Sequence, residues 1–278
     1  MHASCVSWQN DNMTQREHDS PPLISTPAQP DVAATAYAEL THLGLIAVTG
    51  ADAAAFLQAQ LSNDLHAVTE TRSQLSAWCS AKGRALAVMR VYLHSATYYL
   101  QLPRDQLEFV LQRLRMYVLR SQVTLTDASP LLVQLGMSGA EAPALLTHTL
   151  GTSVSATNNS VTSLSLSGAT VSVLTLPGVQ PRFAVITSPA MADTLQRQWA
   201  SAATRIGSDG WSLLDIRAGI PSLCSATQDL FIPQMLNLDL IGALSFSKGC
   251  YPGQEIVART HHLGAVKRRM YYACTRTT

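Results

Sequence analysis

The sequence has few cysteines, few charges and no long apolar run. Its 5 cysteines are odd in number and no two form a CxxC pair, so neither a disulfide framework nor a structural zinc site is predicted. Charged residues make up 13% of the 278 residues and the net charge is +1, which gives no general reason to expect nucleic-acid or anionic-membrane binding. No stretch approaches the ~18 consecutive apolar residues of a membrane span. With no signal-peptide pattern, these features predict a reduced, cytoplasmic location.

Hydrophobic residues make up 47% of the chain, enough to bury a sizeable core in one large domain or two smaller ones. Residues 1–34 are polar, contain four prolines and show no apolar period, which predicts a disordered leader. The polar stretch 151–160 is a candidate seam. We therefore expect a first lobe over 35–150 and a second over 151–262.

Strand and helix patterns are mixed after residue 34. Apolar residues at helical spacing predict a helix over Asp105–Leu119, and an N-cap serine with a glutamate three residues later predicts another over Ser138–Leu150. Short alternating or apolar runs predict strands, which are Leu43–Val48, Leu75–Ala81, Arg84–His94, Thr97–Leu102, Val123–Thr126, Leu131–Met137, Leu164–Leu166, Thr170–Leu176 and Phe183–Thr187. No regular βαβ order is present, so an α+β fold is predicted.

The segment 246–259 has the densest chemistry. Gly249 and Gly253 favour a tight loop, and Cys250 would precede a helical turn at 254–259, two residues from Lys248. A helix N-terminus and a nearby ammonium favour thiolate, so Cys250 could act as a nucleophile, a redox-sensitive group or a soft-metal ligand. A glycine turn around a buried, inert cysteine explains the same residues.

The octapeptide Lys248–Glu255, KGCYPGQE, looks like the KGCYxGQE signature of the YgfZ family, folate-binding proteins similar to the T-protein (aminomethyltransferase) of the glycine cleavage system. Further segments match the family over about residues 35–275, and they are Val48–Asp52, Leu61–Asp64, Tyr117–Val123, Arg217–Pro221 and Phe231–Leu238. The resemblance implies a T-protein-like fold of two mixed lobes followed by a C-terminal β-barrel. It also implies a monomeric protein that does not bind membranes.

The resemblance implies binding of a tetrahydrofolate and support of iron–sulfur proteins, including the cluster-dependent enzymes that thiolate tRNA. The essential cysteine of the family falls on Cys250, which with Lys248 forms the predicted catalytic pair. A folate-contacting tryptophan falls on Trp211, whose indole could stack on a flat pterin ring, although packing in the core explains it equally well. The remaining predicted cofactor-binding residues are Arg217, Tyr251, Gln254 and Glu255, and no resident metal is predicted.

Three departures from the family patterns bear on activity. Where close family members carry a second ligand-site tryptophan, this chain has Leu43. The catalytic aspartate pair of the T-protein falls near Leu86 and Ala87, and its GYTGE loop has no counterpart around 176–182. General acid–base help is therefore missing, and the chain is predicted not to be a true aminomethyltransferase. A one-carbon transferase and an RNA- or protein-interaction module remain the alternatives.

The C-terminal segment is basic, and it resembles only the first part of the C-terminal barrel of the family. Residues 263–278 resemble the first strand of the C-terminal barrel, which family members continue, so the resemblance implies a shortened chain. From Lys248 onward six basic residues face one acidic residue, which could contact tRNA phosphate or a polyglutamate tail, or could protect a solvated strand edge. His261 and His262 are interpreted as part of a surface loop rather than a metal pair.

Overall fold

The structure, a computed structural model, describes residues 34–274. Its strands are β1 (Ala36–Glu39), β2 (Leu43–Thr49), β3 (Gln74–Cys79), β4 (Ala85–His94), β5 (Thr97–Pro103), β6 (Thr124–Asp127), β7 (Val133–Ser138), β8 (Val161–Leu166), β9 (Ala169–Leu176), β10 (Arg182–Thr187) and β11 (Thr204–Arg205). Its α-helices are α1 (Ala53–Gln60), α2 (Arg104–Arg115), α3 (Ala142–Leu150), α4 (Pro189–Trp199), α5 (Ser208–Arg217) and α6 (Gln254–Leu263). None of these helices is long and apolar enough to cross a membrane.

The strands form two sheets. The first has the order β3-β4-β5-β2-β6 and is antiparallel throughout. The second has the order β11-β1-β7-β10-β9-β8, in which only the short pair β1 and β11 is parallel. Because short turns join neighbouring antiparallel strands and helices follow runs of strands, the predicted α+β class is confirmed.

Side-chain alternation places the two sheets between two helical layers. Along β2, Ile46 and Val48 join α1 and α2 in one buried cluster, whereas Leu45 and Ala47 join residues of the second sheet in a central cluster. A third cluster buries α3 and α4 against the other face of the second sheet. The central cluster also contains Trp211 of α5, so a helix lies at the contact between the sheets.

Two element predictions are wrong for reasons that involve distant partners. Ser138 is the last residue of β7, where it pairs with Ala36 and Arg182, so it does not cap a helix and α3 begins at Ala142. The predicted C-terminal strand is not formed, since residues 264–274 pair with none of the strands between residues 34 and 274. A strand pattern without a partner leaves its backbone hydrogen bonds unmade, so the extended segment is held by side chains instead.

After β6 the chain passes from the first sheet to the second, between Asp127 and Val133. The predicted lobe boundary near residue 150 therefore does not separate the two sheets. β1, β7 and α3 belong with the second sheet although all three lie before residue 150. The predicted seam at 151–160 instead links the sheets, since the backbone N–H of Ser73 donates to the carbonyl oxygen of Asn159 at 2.7 Å. Residues 1–33 of the predicted leader lie outside the described residues.

Candidate functional site

Lys248 fastens the cysteine loop to the end of α1. Its Nζ donates to the backbone carbonyl oxygens of Gln58 at 2.6 Å and Asn63 at 3.1 Å, and also to that of Leu61. The C-terminal end of a helix attracts a cation because its last carbonyls have no partner within the helix. Lys248 is only 8% exposed and lies 5.3 Å from the centre of the Tyr251 ring. Its ammonium therefore has a structural role in addition to its predicted place beside Cys250.

Burial lowers the pKa of the Lys248 ammonium to about 8 from 10.5, while the nearby Asp64 carboxylate acts in the opposite direction. Between these two pH values the unfolded chain binds more protons than the folded chain, so stability rises with pH. We expect the unfolding free energy of the wild type to gain about 1–2 kcal/mol over that of Lys248→Met between about pH 7 and about pH 9.5. Urea unfolding at both pH values measures this difference. If the difference in unfolding free energy between the wild type and Lys248→Met stays constant or decreases as the pH rises, the three carbonyl oxygens keep the proton on Lys248.

Gly253 sets the turn that leads into α6. Its φ of 77° lies in the left-handed region, and a Cβ atom there would clash with the carbonyl oxygen of Ser80 and lie 2.6 Å from Cα of Gly83. The loop can therefore pack on the turn between β3 and β4 only if this residue has no side chain. Gln254 begins α6 and donates through Nε2 to the carbonyl oxygen of Lys248 at 3.4 Å, which closes the loop.

Cys250 is exposed between these two anchors. Among residues 34–274 its Sγ has no hydrogen-bond partner, so the thiol is accessible to a reaction partner. Cys79 differs, because burial in the apolar core raises its thiol pKa to about 12. The interpretation of Cys250 as a buried cysteine is therefore wrong, because its side chain is exposed in the tight loop.

Other predicted site residues make separate contacts rather than sharing one ligand pocket. Tyr251 is buried in an apolar cluster, which raises the pKa of its hydroxyl. Glu255 is exposed and pairs with Arg259 at 2.6 Å. Arg217, at the end of α5, interacts electrostatically with the hydroxyl of Tyr272 in the extended C-terminal segment.

The histidine pair and the basic end also have structural partners. His261 and His262 lie in the last turn of α6, not in a loop, and the His261 ring stacks on Phe246 at 3.8 Å. Arg269 binds Asp239 through two hydrogen bonds of 2.9 and 2.8 Å, which holds the C-terminal segment and neutralises part of the basic excess. Over residues 34–274 no group of three metal-binding side chains forms.

A separate cavity lies between the two sheets and α5. Its volume is about 80 Å³, several times the roughly 10–15 Å³ that one water molecule requires. Trp211 and Leu43 both line it, so the two positions that the family resemblance assigns to the ligand site share one wall. That wall does not include the other predicted cofactor-binding residues or the cysteine, which are Arg217, Cys250, Tyr251, Gln254 and Glu255.

Trp211 is held firmly in this wall. Its side chain is 1% exposed, and a Cβ on Gly136 of β7 would lie 2.7 Å from its Cη2. The guanidinium carbon of Arg182 lies 5.5 Å from the centre of the indole ring. Gly136 thus makes room for the ring where a larger residue would displace it, and Trp211 is part of both the core and the cavity.

Sequence reasoning missed the charged residues of the cavity. Arg182 of β10 approaches Asp215 of α5 at 3.0 Å in an ionic contact that is not an aligned hydrogen bond, while its Nε and Nη2 donate to the carbonyl oxygen of Pro177. Arg90 of β4 is 5% exposed and also lines the cavity. A detectable signal was present, because an arginine within an apolar strand such as Met89–Val91 is rarely buried without a special partner.

Comparisons with known proteins agree with this architecture. The GCVT N-terminal domain family matches residues 32–176. The tRNA-modifying protein YgfZ of Colwellia psychrerythraea is 33% identical over 233 residues, which cover 84% of this chain and 69% of that protein. The protein of the same name from Sodalis glossinidius is 36% identical over equal shares. The crystal structure of glycine cleavage system aminomethyltransferase T from Bartonella henselae aligns with a TM-score of 0.70 at 16% identity, over 84% of this chain and 64% of that one, and shares the fold.

Proposed function

Because the chain belongs to the YgfZ family, we propose that it binds a tetrahydrofolate in the cavity between the sheets and supports tRNA modification. In this proposal it is an accessory protein for iron–sulfur proteins that modify tRNA, and Cys250 is its reactive group. The relatives that share its sequence are tRNA-modifying proteins by name. The sequence resemblance and the fold both support this accessory role in tRNA modification.

The observation that carries the folate proposal is the cavity with its tryptophan, guanidinium and carboxylate groups. Trp211, Leu43 and Leu102 provide apolar walls, and Asp215 provides an acceptor for ring N–H and amino groups. Binding sites for flat heterocycles combine such apolar walls with a few fixed polar groups. When bound, tetrahydrofolate supplies ring nitrogens that carry one-carbon units. The residues of the wall hold and orient the ring and exclude water from it.

The aminomethyltransferase alternative lacks the necessary proton-transfer groups. At the positions where the catalytic aspartate pair of the T-protein falls, Ala87 is buried in the cluster that faces α1 and α2, and Leu86 packs against the same cluster. Neither side chain can accept or donate a proton, so neither can assist a reaction at a folate nitrogen. The proposal therefore assigns the chain a binding and supporting role, with chemistry at the exposed Cys250 thiol.

Titration of the purified full chain with tetrahydrofolate, without oxygen, tests the binding proposal. We expect saturable binding by calorimetry and quenching of tryptophan fluorescence at the same ligand concentrations. Adenosine, which carries a flat heterocycle but no pterin ring, serves as the control ligand and should show no saturable binding. A chain that is folded by far-UV circular dichroism but does not bind tetrahydrofolate would contradict the folate proposal and favour an interaction module.

A further inference from the structure

Arg90 carries a buried positive charge that lacks an ionic partner. Its Nη1 donates to two neutral acceptors, Oδ1 of Asn159 at 2.7 Å and Oγ of Ser73 at 3.3 Å. Within residues 34–274 no carboxylate lies in ion-pair contact with it. The cavity wall contains one carboxylate, Asp215, and that group already contacts Arg182. Two guanidiniums and one carboxylate leave one positive charge unmatched in the wall.

The charge on Arg90 persists at neutral pH in spite of its burial. Burial lowers its pKa to about 10, with Asp215 raising it and Arg182 lowering it further, so the side chain stays protonated near pH 7. A buried ion without a counter-ion is unfavourable, and a ligand that supplies acceptor atoms offsets that cost. The wall of the cavity is therefore suited to a ligand that is rich in acceptors or negatively charged.

One edge of the Arg90 guanidinium is available to such a ligand. No described residue accepts a hydrogen bond from its Nε or Nη2, and neither atom is completely enclosed by the protein. Nε and Nη2 therefore remain as unused donors on a residue that lines the cavity. Nε and Nη2 form the fork that binds two adjacent acceptor atoms in one plane.

Asn159 fixes the direction of this fork. Its backbone N–H donates to the carbonyl oxygen of Thr175 at 2.8 Å, and its own carbonyl oxygen accepts from the N–H of Ser73. Its φ of 66° lies in the left-handed region, which asparagine tolerates. With its backbone tied to both sheets, Asn159 is a positioning residue that turns Nη1 of Arg90 toward itself and leaves Nε and Nη2 free.

We propose that Arg90 anchors the ligand of this cavity by donating from Nε and Nη2 to the carbonyl oxygen on one edge of its heterocycle. This assignment rests on the proposed folate function and specifies which part of the ligand enters. The anchor lies on a side chain that is only 5% exposed, so it meets the group that inserts deepest. A flexible tail with two carboxylates stays in water, since burying it costs more than burying a neutral ring.

Three ligands and two kinds of variant test the assignment in calorimetric titrations of the full chain. The ligands are tetrahydrofolate, 6-methyltetrahydropterin as the ring alone and p-aminobenzoylglutamate as the tail alone. We expect Arg90→Gln to weaken binding of both ring-containing ligands by a similar factor of roughly 10–100. The exposed Arg197→Gln serves as the matched control and should bind as the wild type does. Equal ring affinity in Arg90→Gln and wild type, or a loss confined to ligands with a tail, would overturn the assignment.

Asn159→Asp keeps the test decisive if Arg90→Gln does not fold. The nearly isosteric carboxylate would neutralise Arg90 through the contact now made at 2.7 Å. We expect it to raise the thermal unfolding temperature of the ligand-free chain and to weaken ring binding several-fold. If Asn159 has only a structural role, a change in the unfolding temperature is not accompanied by a change in ring binding. Ring binding by Asn159→Asp as tight as that of the wild type would therefore argue against Arg90 as the anchor. If the wild type binds none of the three ligands, the folate proposal falls together with the assignment, whereas binding that no variant alters removes Arg90 alone.

Discussion

Replacement of Cys250 by alanine is expected to abolish rescue of tRNA thiolation in a strain that lacks its own YgfZ protein, while the yield of folded protein stays unchanged. The thiol is exposed and has no hydrogen-bond partner among the described residues, so its removal costs little stability. Lys248 and Gly253 anchor the loop on either side and do not depend on the sulfur. A large functional loss without a structural loss is the mark of a reactive group. Mass spectrometry of tRNA nucleosides measures the thiolated fraction.

Cys224→Ala is the matched control for this experiment. Cys224 is also exposed, but it lies before a short 3₁₀ turn where its Sγ is 3.4 Å from Oγ1 of Thr227. We expect this variant to rescue thiolation fully. Full rescue by Cys250→Ala would disprove the role of Cys250, and equal loss in both cysteine variants would indicate a general requirement for thiols.

Replacement of Trp211 by alanine is expected to lower the unfolding free energy by about 3–5 kcal/mol and to abolish measurable tetrahydrofolate binding. The ring is 1% exposed and belongs to the cluster between the sheets, so its loss leaves a large void. The same ring forms a wall of the cavity, so the void also changes the shape of the site. Urea unfolding and calorimetric titration on the same samples measure the two effects.

Trp199→Ala separates loss of stability from loss of the site. Trp199 is fully buried in the other core, against α3 and α4, and does not line the cavity. We expect a similar loss of stability with binding retained at a temperature where the chain is folded. Gly136→Ala approaches Trp211 from the opposite direction, because its new Cβ would displace the ring and weaken binding. Retained binding in both Trp211→Ala and Gly136→Ala would remove Trp211 from the site.

Local patterns predicted the elements whose hydrogen bonds are made close by in sequence. The meander β3-β4-β5 and the start of α2 follow from alternation and helical spacing, because their partners are adjacent segments. The predicted end of α2 was too late, since Leu119 adopts a φ of 47° that a helix does not allow. Ser138 satisfied the pattern of an N-cap, yet the ladder with Ala36 and Arg182 placed it in a strand.

The sequence by itself determined the α+β class, the family and the tight loop around Cys250, because local patterns and contiguous motifs encode each of them. Tertiary structure alone decided that Trp211 and Leu43 share a cavity with Arg90, Arg182 and Asp215. It also decided that Lys248 binds the end of α1, which lies almost 190 residues earlier in the chain. Charges within apolar strands indicate that some buried partner exists, but which groups meet depends on how the two sheets pack, and no local pattern encodes that contact.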